Sequence, residues 1–442
     1  MNLETRLLAL LARGPLAARD LCALLGVSQA TFSRIIGRAG DSVIRIGGGR
    51  STRYGAAATH TPATALYAAA SNGQVTQIGV LRPLQSGEYY LQQAEALTWL
   101  IGAGGDGLFD GLPYYLSDLR PQGFLGRKIA AHLALSGRYP SDPRAWNDQH
   151  TLQYLLDEGH DLPGNLLLGE RSLHAYQRTR PHIVTDRQRE YPQRVDNILA
   201  GGIPDSSAGG EQQKFTAYTA DSGHVIVKFS PAGDSPEAQR WRDLLVAESI
   251  ALNTLRNAGI AVATHTVHDI AGRIYLESAR FDRTGPSGRL PMLSLAAIDA
   301  EFVGRGQNWI DVAERLHRSH RLPATDYRNI VFSHTFGQWI NNTDMHLGNI
   351  SLAPNDSGFE LLPIYDMLPM GFAIRQGEEV VRPFIAPVRM LANQLAWQEC
   401  GELALRYWQG VAEDIRISER FRDIAVGQCG SIGRALANSK SE

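Results

Sequence analysis

Apolar residues in the first fifty positions recur at helical spacing and are interrupted by turn formers. Residues 4–12 read as a short helix ended by Gly14-Pro15, and residues 17–25 as a second with Leu21, Leu24 and Leu25 facing inward. Gly26-Val27-Ser28 is a tight turn, with Ser28 placed to cap a third helix that runs to about residue 37. Phe32, Ile35 and Ile36 make its apolar stripe, which leaves Gln29, Ser33, Arg34 and Arg38 toward solvent. Two short strands, 43–46 and 52–54, flank Gly47-Gly48-Gly49-Arg50. Three helices and a basic hairpin describe a winged helix-turn-helix over residues 1–56. Its third helix would enter the major groove of DNA, with Arg50 and Arg53 reaching phosphate or the minor groove. Small three-helix units also mediate protein contacts, so both readings stay open.

The periodicity then changes. Residues 57–63 look like a linker. Strand-like runs at 64–70 and 74–81 flank Asn72-Gly73, a strong hairpin turn, and 88–92 adds a third run. From 115 to 177 the pattern is helical, apart from a Gly-, Asp- and Pro-containing loop near 159–164. Its histidines, His132, His150, His160 and His174, lack partners at ligand spacing and read as surface or capping residues. The stretch from Gly201 to Gly210 is rich in glycine and serine and forms no regular element. Strands at 214–219 and 224–229 follow, then a helix over 243–259 containing Glu248, a strand-rich segment over 261–281, and mostly helices after 294. The expected division is 1–56, linker 57–63, 64–190 and 191–442, within an α+β architecture.

Length and composition fit about three globular domains. No apolar run approaches a membrane span and no charged-then-apolar leader opens the chain, so the expectation is a cytoplasmic protein. Cys22, Cys400 and Cys429 are too few and too far apart for a disulfide scaffold or a structural zinc site. The net charge of −2 hides an asymmetry: residues 1–55 hold eight arginines against Glu4, Asp20 and Asp41, a local +5. A basic head on an acidic body points to a polyanion as the partner of the head alone. Of 43 basic residues only Lys128, Lys214, Lys228 and Lys440 are lysines. A retained lysine in such a chain draws notice, because its compact charge suits a phosphate.

Two C-terminal segments carry the chemistry: Asn341-Asn342-Thr343-Asp344-Met345-His346-Leu347-Gly348-Asn349 and Leu362-Pro363-Ile364-Tyr365-Asp366. They place a carboxylate, a carboxamide five residues later, and a second carboxylate 17 residues beyond that. Phosphoryl transfer from ATP uses such a set, one Asp to take or orient the hydroxyl proton and an Asn with a second Asp to hold Mg²⁺. Upstream, in order, come the glycine-rich loop, Lys228 within Val225-Ile226-Val227-Lys228-Phe229, Glu248 on a helix, and the extended Glu277-Ser278-Ala279-Arg280-Phe281. Lys228, flanked by apolar residues, needs a partner, and phosphate with Glu248 supplies one. Each signal alone is weak. Their order is that of a protein-kinase-like fold.

The segments Ser206-Ser207-Ala208-Gly209-Gly210-Glu211-Gln212-Gln213-Lys214, Val227-Lys228, Arg280-Phe281-Asp282-Arg283, Asn342 to Asn349 and Pro363 to Asp366 resemble the motif set of the HipA family, over roughly residues 64–442. These are bacterial toxin–antitoxin serine/threonine protein kinases, and the added head is similar to the family's YjjJ-like branch. The resemblance implies a two-lobed kinase that uses ATP and Mg²⁺ on a translation target, typically an aminoacyl-tRNA synthetase. It also implies autophosphorylation of Ser206 or Ser207, which ejects the loop and shuts the kinase off. It makes Asp344 the catalytic base and Lys228 the phosphate lysine. Gly209, Gly210, Glu211, Gln212, Gln213 and Lys214 line ATP, and Ala279, Arg280 and Phe281 form the adenine hinge. His346 and Asn349 lie by the phosphates, with Asn349 and Asp366 on Mg²⁺. There are departures. The loop is one residue longer before Lys214, Gly348 stands where a lysine is common, and Ala279 replaces a hinge glutamate. Two other readings remain: a DNA-binding regulator whose kinase fold senses nucleotide, and a small-molecule kinase. A separate antitoxin and a homodimer on a two-fold DNA site are further expected partners.

Overall fold

The computed structural model describes residues 2–93, 97–201, 212–374 and 384–438. The head holds α1 (Leu3–Leu11), β1 (Leu16–Ala17), α2 (Ala18–Leu25), α3 (Gln29–Ala39), β2 (Val43–Ile46) and β3 (Arg53–Ala56). Asn2 caps α1 by accepting from the Thr5 N–H, and Ser28 caps α3 by accepting from the Thr31 N–H. Gly26 ends α2 at φ 68°, a left-handed value that a side chain would resist. Leu7, Leu11, Leu21, Leu25, Phe32 and Ile35 form the head's core. Leu24 departs from expectation and is 52% exposed, because this eight-residue helix buries only the i, i+4 pair Leu21 and Leu25. The strands pair in the order β1-β3-β2; the two-residue β1 carried no sequence signal of its own.

The expected linker is short and tied down. Ala57 bridges Leu84, the Ala58 N–H donates to Pro83 O at 2.9 Å, and the Gln85 N–H donates to Ala56 O at 2.9 Å. Ile44 and Ile46 of the head bury against Leu84, with Ala57, Tyr90 and Leu108 around them. Arg53, expected to reach DNA phosphate, instead pairs with Asp106 of the body. Its strand lies at this seam, where a carboxylate is the nearer anion. The Arg50 side chain lies outside what the structure describes.

The middle of the chain forms a five-stranded antiparallel sheet in the order β7-β6-β5-β4-β8, from β4 (Thr64–Ala69), β5 (Val75–Pro83), β6 (Tyr89–Gln93), β7 (Leu108–Phe109) and β8 (Leu166–Leu168). The turn at Asn72-Gly73 joins β4 to β5, with Gly73 at φ 81°. Helices α4 (Tyr114–Ser117), α5 (Gly123–Ala134), α6 (Asp148–Glu158) and α7 (Gly169–Arg178) complete this region. His150 is a capping residue: it and Asn147 form a reciprocal capping box at the start of α6.

A second five-stranded sheet carries the site. It is built from β9 (Ile183–Val184), β10 (Lys214–Thr219), β11 (Gly223–Phe229), β12 (His265–Ile270) and β13 (Arg273–Ala279), in the order β12-β13-β11-β10-β9. Thus the sheet reaches back before residue 191. Alternation along β11 sends Val225, Val227 and Phe229 to one face, where they meet Tyr191 and Val195 of α8 (Arg187–Leu199). Ile226 and Lys228 go to the other face, toward α9 (Pro236–Asn257), which starts two turns earlier than its sequence pattern showed. Short strands β14 (Arg283–Thr284) and β15 (Gly288–Arg289) form a hairpin, and β17 (Ser351–Pro354) pairs with β16 (Leu293–Ser294) on one side and β18 (Phe359–Leu361) on the other. Helices α10 (Leu295–Ile298), α11 (Trp309–Arg318), α12 (Ala324–Trp339), α13 (Gln394–Glu413) and α14 (Glu419–Asn438) make the C-terminal lobe. The lobes are laced by backbone: the Ile364 N–H donates to Ala261 O and the Ala263 N–H to Ile364 O, both at 2.9 Å.

Leu84 is 4% exposed at the seam between head and body. Leu84→Ala should lower stability by about 2–4 kcal/mol and speed proteolytic cleavage around residues 57–63, read by urea unfolding and timed digestion.

Candidate active site

Each strand and loop end delivers one group to the space between the lobes. Lys228 is on β11 and Glu248 is just past the middle of the long helix α9, both buried. Lys228 Nζ donates to both Glu248 oxygens at 2.6 and 2.8 Å and pairs with Asp366 as well. Lys214, 3% exposed, stands directly opposite Lys228 in the β10–β11 register. Two lysines and two carboxylates therefore share one dry site. Burial alone would drive Asp366 toward its neutral form, but Lys228 and Lys214 hold its pKa below the usual carboxylate range. His346 acts in the same direction. Burial raises the pKa of Glu248 despite Lys228, while the two carboxylates together raise that of Lys228 against its own burial.

The two motif segments are bound to one another. Asn342 Nδ2 donates to Asp366 O at 3.3 Å, and its Oδ1 accepts from the Asp344 N–H at 3.1 Å. Asn349 Nδ2 donates to Asp344 O at 2.8 Å, which leaves the amide oxygen as its acceptor. Trp309 Nε1 donates to His346 O at 2.9 Å, and Tyr365 Oη lies 2.8 Å from Ser351 Oγ and donates to Gly348 O at 3.3 Å. Asp366 sits at φ 56° and Asn341 at φ 61°, left-handed values held by this network.

A cleft of about 210 Å³ collects much of the predicted set: Lys214, Lys228, Ala279, Arg280, Phe281, Asn349 and Asp366 all line it. Half-buried Asp344 and exposed His346 lie on the loop beside it. Gln212 and Gln213 lead into β10, where Gln213 O accepts from the Phe229 N–H, and neither lines the cleft. Ser206, Ser207, Gly209, Gly210 and Glu211 lie outside the described residues. At the end of β13, the Ala279 N–H donates to Thr264 O at 2.7 Å and the Arg280 N–H to His224 O at 2.8 Å. Phe281 packs on Tyr365 with ring centroids 5.7 Å apart. In the head, Gln29, Ser33, Arg34 and Arg38 are all exposed on α3.

The donor set suits ATP with Mg²⁺. Buried lysines meet phosphate as point charges, and one carboxylate with one amide oxygen is what Mg²⁺ takes from a protein when nucleotide oxygens complete its shell. Among the described residues no cluster of three or more His, Cys, Asp and Glu side chains forms a separate cage.

Two family models match: the middle domain of YjjJ-like toxins over residues 60–177 and the HipA-like C-terminal domain over 206–432. The chain is 38% identical to Toxin YjjJ of Escherichia coli (strain K12) over 435 residues, 94% of each chain. The chain belongs to the HipA family of toxins, in its YjjJ-like branch. Among solved structures, HipA of Shewanella oneidensis MR-1, crystallised with HipB and its operator DNA, aligns with TM-score 0.51 and 16% identity over 84% of this chain and 88% of that one. The Helicobacter pylori proinflammatory kinase CtkA aligns with TM-score 0.37 and 12% identity over 53% of this chain and 92% of that one, too distant to carry a conclusion. This HipA-family chain thus has a mixed α+β, HipA-like fold. No helix among its described residues is long and apolar enough to cross a membrane.

Three residues that shape the site went unassigned in the sequence. Asn342 lay inside a motif with no role. Trp309 and Asp118, which accepts from the Ser294 N–H and Oγ at 2.8 and 2.5 Å, stand far from it in sequence. Only the 3.6-residue stripe of α11 hinted that Trp309 is buried.

Trp309 packs against His334, 5.8 Å between ring centroids, and burial pulls the His334 pKa down to about 4. Unfolded, the same imidazole titrates near 6.5, so between these values the unfolded state binds the extra proton. Stability should therefore be complete above about pH 6.5 and fall by up to about 3 kcal/mol as pH drops toward 4. Urea midpoints across that range should show the slope, and His334→Phe should flatten it.

Proposed function

We propose that this protein is an ATP- and Mg²⁺-dependent serine/threonine protein kinase acting as a toxin, with a translation factor such as an aminoacyl-tRNA synthetase as target. The observation that carries the reading is Lys228 held between Glu248 and Asp366 in the cleft that Asn349 also lines. A buried lysine braced by a helix glutamate is placed to meet nucleotide phosphate. Bound nucleotide and Mg²⁺ supply the transferable phosphoryl group and offset its charge. Asp344, whose backbone is fixed by Asn342 and Asn349, takes the proton of the substrate serine hydroxyl. Asn349 and Asp366 would hold the cation, and the segment from Ala279 to Phe281 would border the adenine.

The same reading makes Ser206 or Ser207 the site of self-modification. It makes the head a winged helix-turn-helix that lays α3 in the major groove, with Gln29 and Ser33 at base edges and Arg34 and Arg38 on phosphate. Arg53 is withdrawn from that set by Asp106. The HipA relative crystallised with HipB and operator DNA supports an antitoxin partner and DNA as expectations for this chain too. A homodimer fits a two-fold DNA site.

The purified protein, incubated with ATP and Mg²⁺, should gain a phosphate at Ser206 or Ser207 by intact-mass and peptide mapping. Asp344→Asn should slow this by about 10²–10⁴-fold. Equal modification of both proteins overturns the role of Asp344. No transfer by either, to itself or to proteins of a cell extract, returns the choice to a nucleotide-sensing regulator.

For the head, Arg34→Ala with Arg38→Ala should weaken gel-shift binding to the DNA upstream of its own gene. The loss should be uniform across sequences, and the salt dependence should flatten by about two units.

A further inference from the structure

A second cavity, of about 350 Å³, lies beside the cleft, between the sheet, α8, the end of α7 and the β14–β15 hairpin. Five arginines line it, Arg180, Arg194, Arg280, Arg283 and Arg289, against a single lining carboxylate, Asp161. Those charges are unequally partnered. Asp282 serves Arg280 through both oxygens, at 3.0 and 2.9 Å, and takes Arg283 at 2.6 Å as well. Arg283 also holds Asp161 at 2.8 Å, and Asp161 is left to Arg289 only at 3.5 Å.

Arg289 is the residue out of balance. It is 5% exposed, its Nη2 donates to His160 O, and its guanidinium stacks 4.7 Å above the Tyr176 ring. Its Nη1 is buried with no hydrogen-bond partner. Burial, and then Arg283 beside it, pull its pKa down to about 9, so the group is held against its own charge. A buried guanidinium nitrogen with nothing to bond to is costly unless something fills the gap. The forked donors of clustered arginines match the oxygens of a phosphate.

The remaining wall mixes hydroxyl, imidazole and small apolar side chains. Thr216, Tyr218 and Ser287 line it, and burial keeps His224 below its usual pKa. The volume sits near the lower end of small-molecule pockets, roughly 300–1,000 Å³, so there is room for an organic group besides the phosphate.

We propose that this cavity is a second ligand site, for a small phosphomonoester whose phosphate is met by Arg289, Arg194 and their neighbours and whose polar body lies along Thr216, Tyr218 and Ser287. The site is independent of the kinase reading. Arg280 lines both this cavity and the cleft, so the two share a wall at the hinge.

Isothermal titration calorimetry of the full chain tests it, with glycerol 3-phosphate, inorganic phosphate and glycerol as probes at matched ionic strength. Glycerol 3-phosphate should bind one-to-one and glycerol should not. Binding should weaken at least about tenfold in Arg289→Met and in the more exposed Arg194→Gln, and persist in Asn349→Ala, which alters only the cleft. Tighter binding of the ester than of the free ion supports the proposal, and equal binding assigns the cavity to inorganic phosphate and overturns the ester. Absence of binding by both, affinity unchanged in the two arginine variants, or loss in Asn349→Ala overturns the site.

Discussion

The contact on which the site depends is Lys228 between Glu248 and Asp366. It joins a strand, a long helix and the loop after β18, three elements that share no local sequence. Taking these charges out of water costs several kcal/mol per ion, and mutual attraction offsets this only when geometry and further hydrogen bonds are good. Lys214 opposite Lys228 keeps the cluster near neutral. The surrounding structure serves that geometry. α9 is anchored just over one turn before Glu248 by Asp243, which accepts from the Ser418 N–H and Oγ at 2.8 and 2.7 Å. The Asp366 loop is clamped by Asn342 and by the Ile364 backbone bonds to the other lobe. A cluster that contributes little net stability fixes the relative position of two lobes.

The turn after β13 shows a second use of buried charge. Arg280 and Arg283 converge on Asp282, whose Oδ2 also accepts from the Gly164 N–H at 2.9 Å. Burial alone would raise the Asp282 pKa, yet the two arginines drive it far below the normal range. Asp282 thereby stitches the middle region to the turn that follows β13. Lys228 and Arg289 are both buried cations, but one has two carboxylates and the other has an open nitrogen. The first looks settled without a ligand and the second does not.

Much of the site was legible from sequence because its residues have chemistry that is conspicuous out of place: a lysine among valines, and Asp344, Asn349 and Asp366 at fixed intervals. The strands carrying Lys214 and Lys228 followed from period, as did the Asn72-Gly73 turn, whereas the first two turns of α9 did not. What stayed hidden depends on distance in space. Asn342 acts on a loop 24 residues away, Asp118 on Ser294 across 176 residues, and Arg53 on Asp106 across a domain boundary. The two-residue strands β1 and β9 exist only because a partner strand offers them hydrogen bonds. Leu24 was misassigned because a two-turn helix has too little length to show which of adjacent leucines faces in.

The seam between head and body carries a practical consequence. Ile44 and Ile46 cover Leu84, with Tyr90 and Leu108 beside it, and residue 57 is already part of the joint. A body lacking the first 56 residues is therefore not the same machine without an accessory. It is a protein with a freshly opened greasy edge, prone to stick to itself or to chaperones. Loss of toxicity in such a truncation would measure solubility as much as any role of the head. Surface changes on α3, which leave the joint closed, are the cleaner way to ask what the head does.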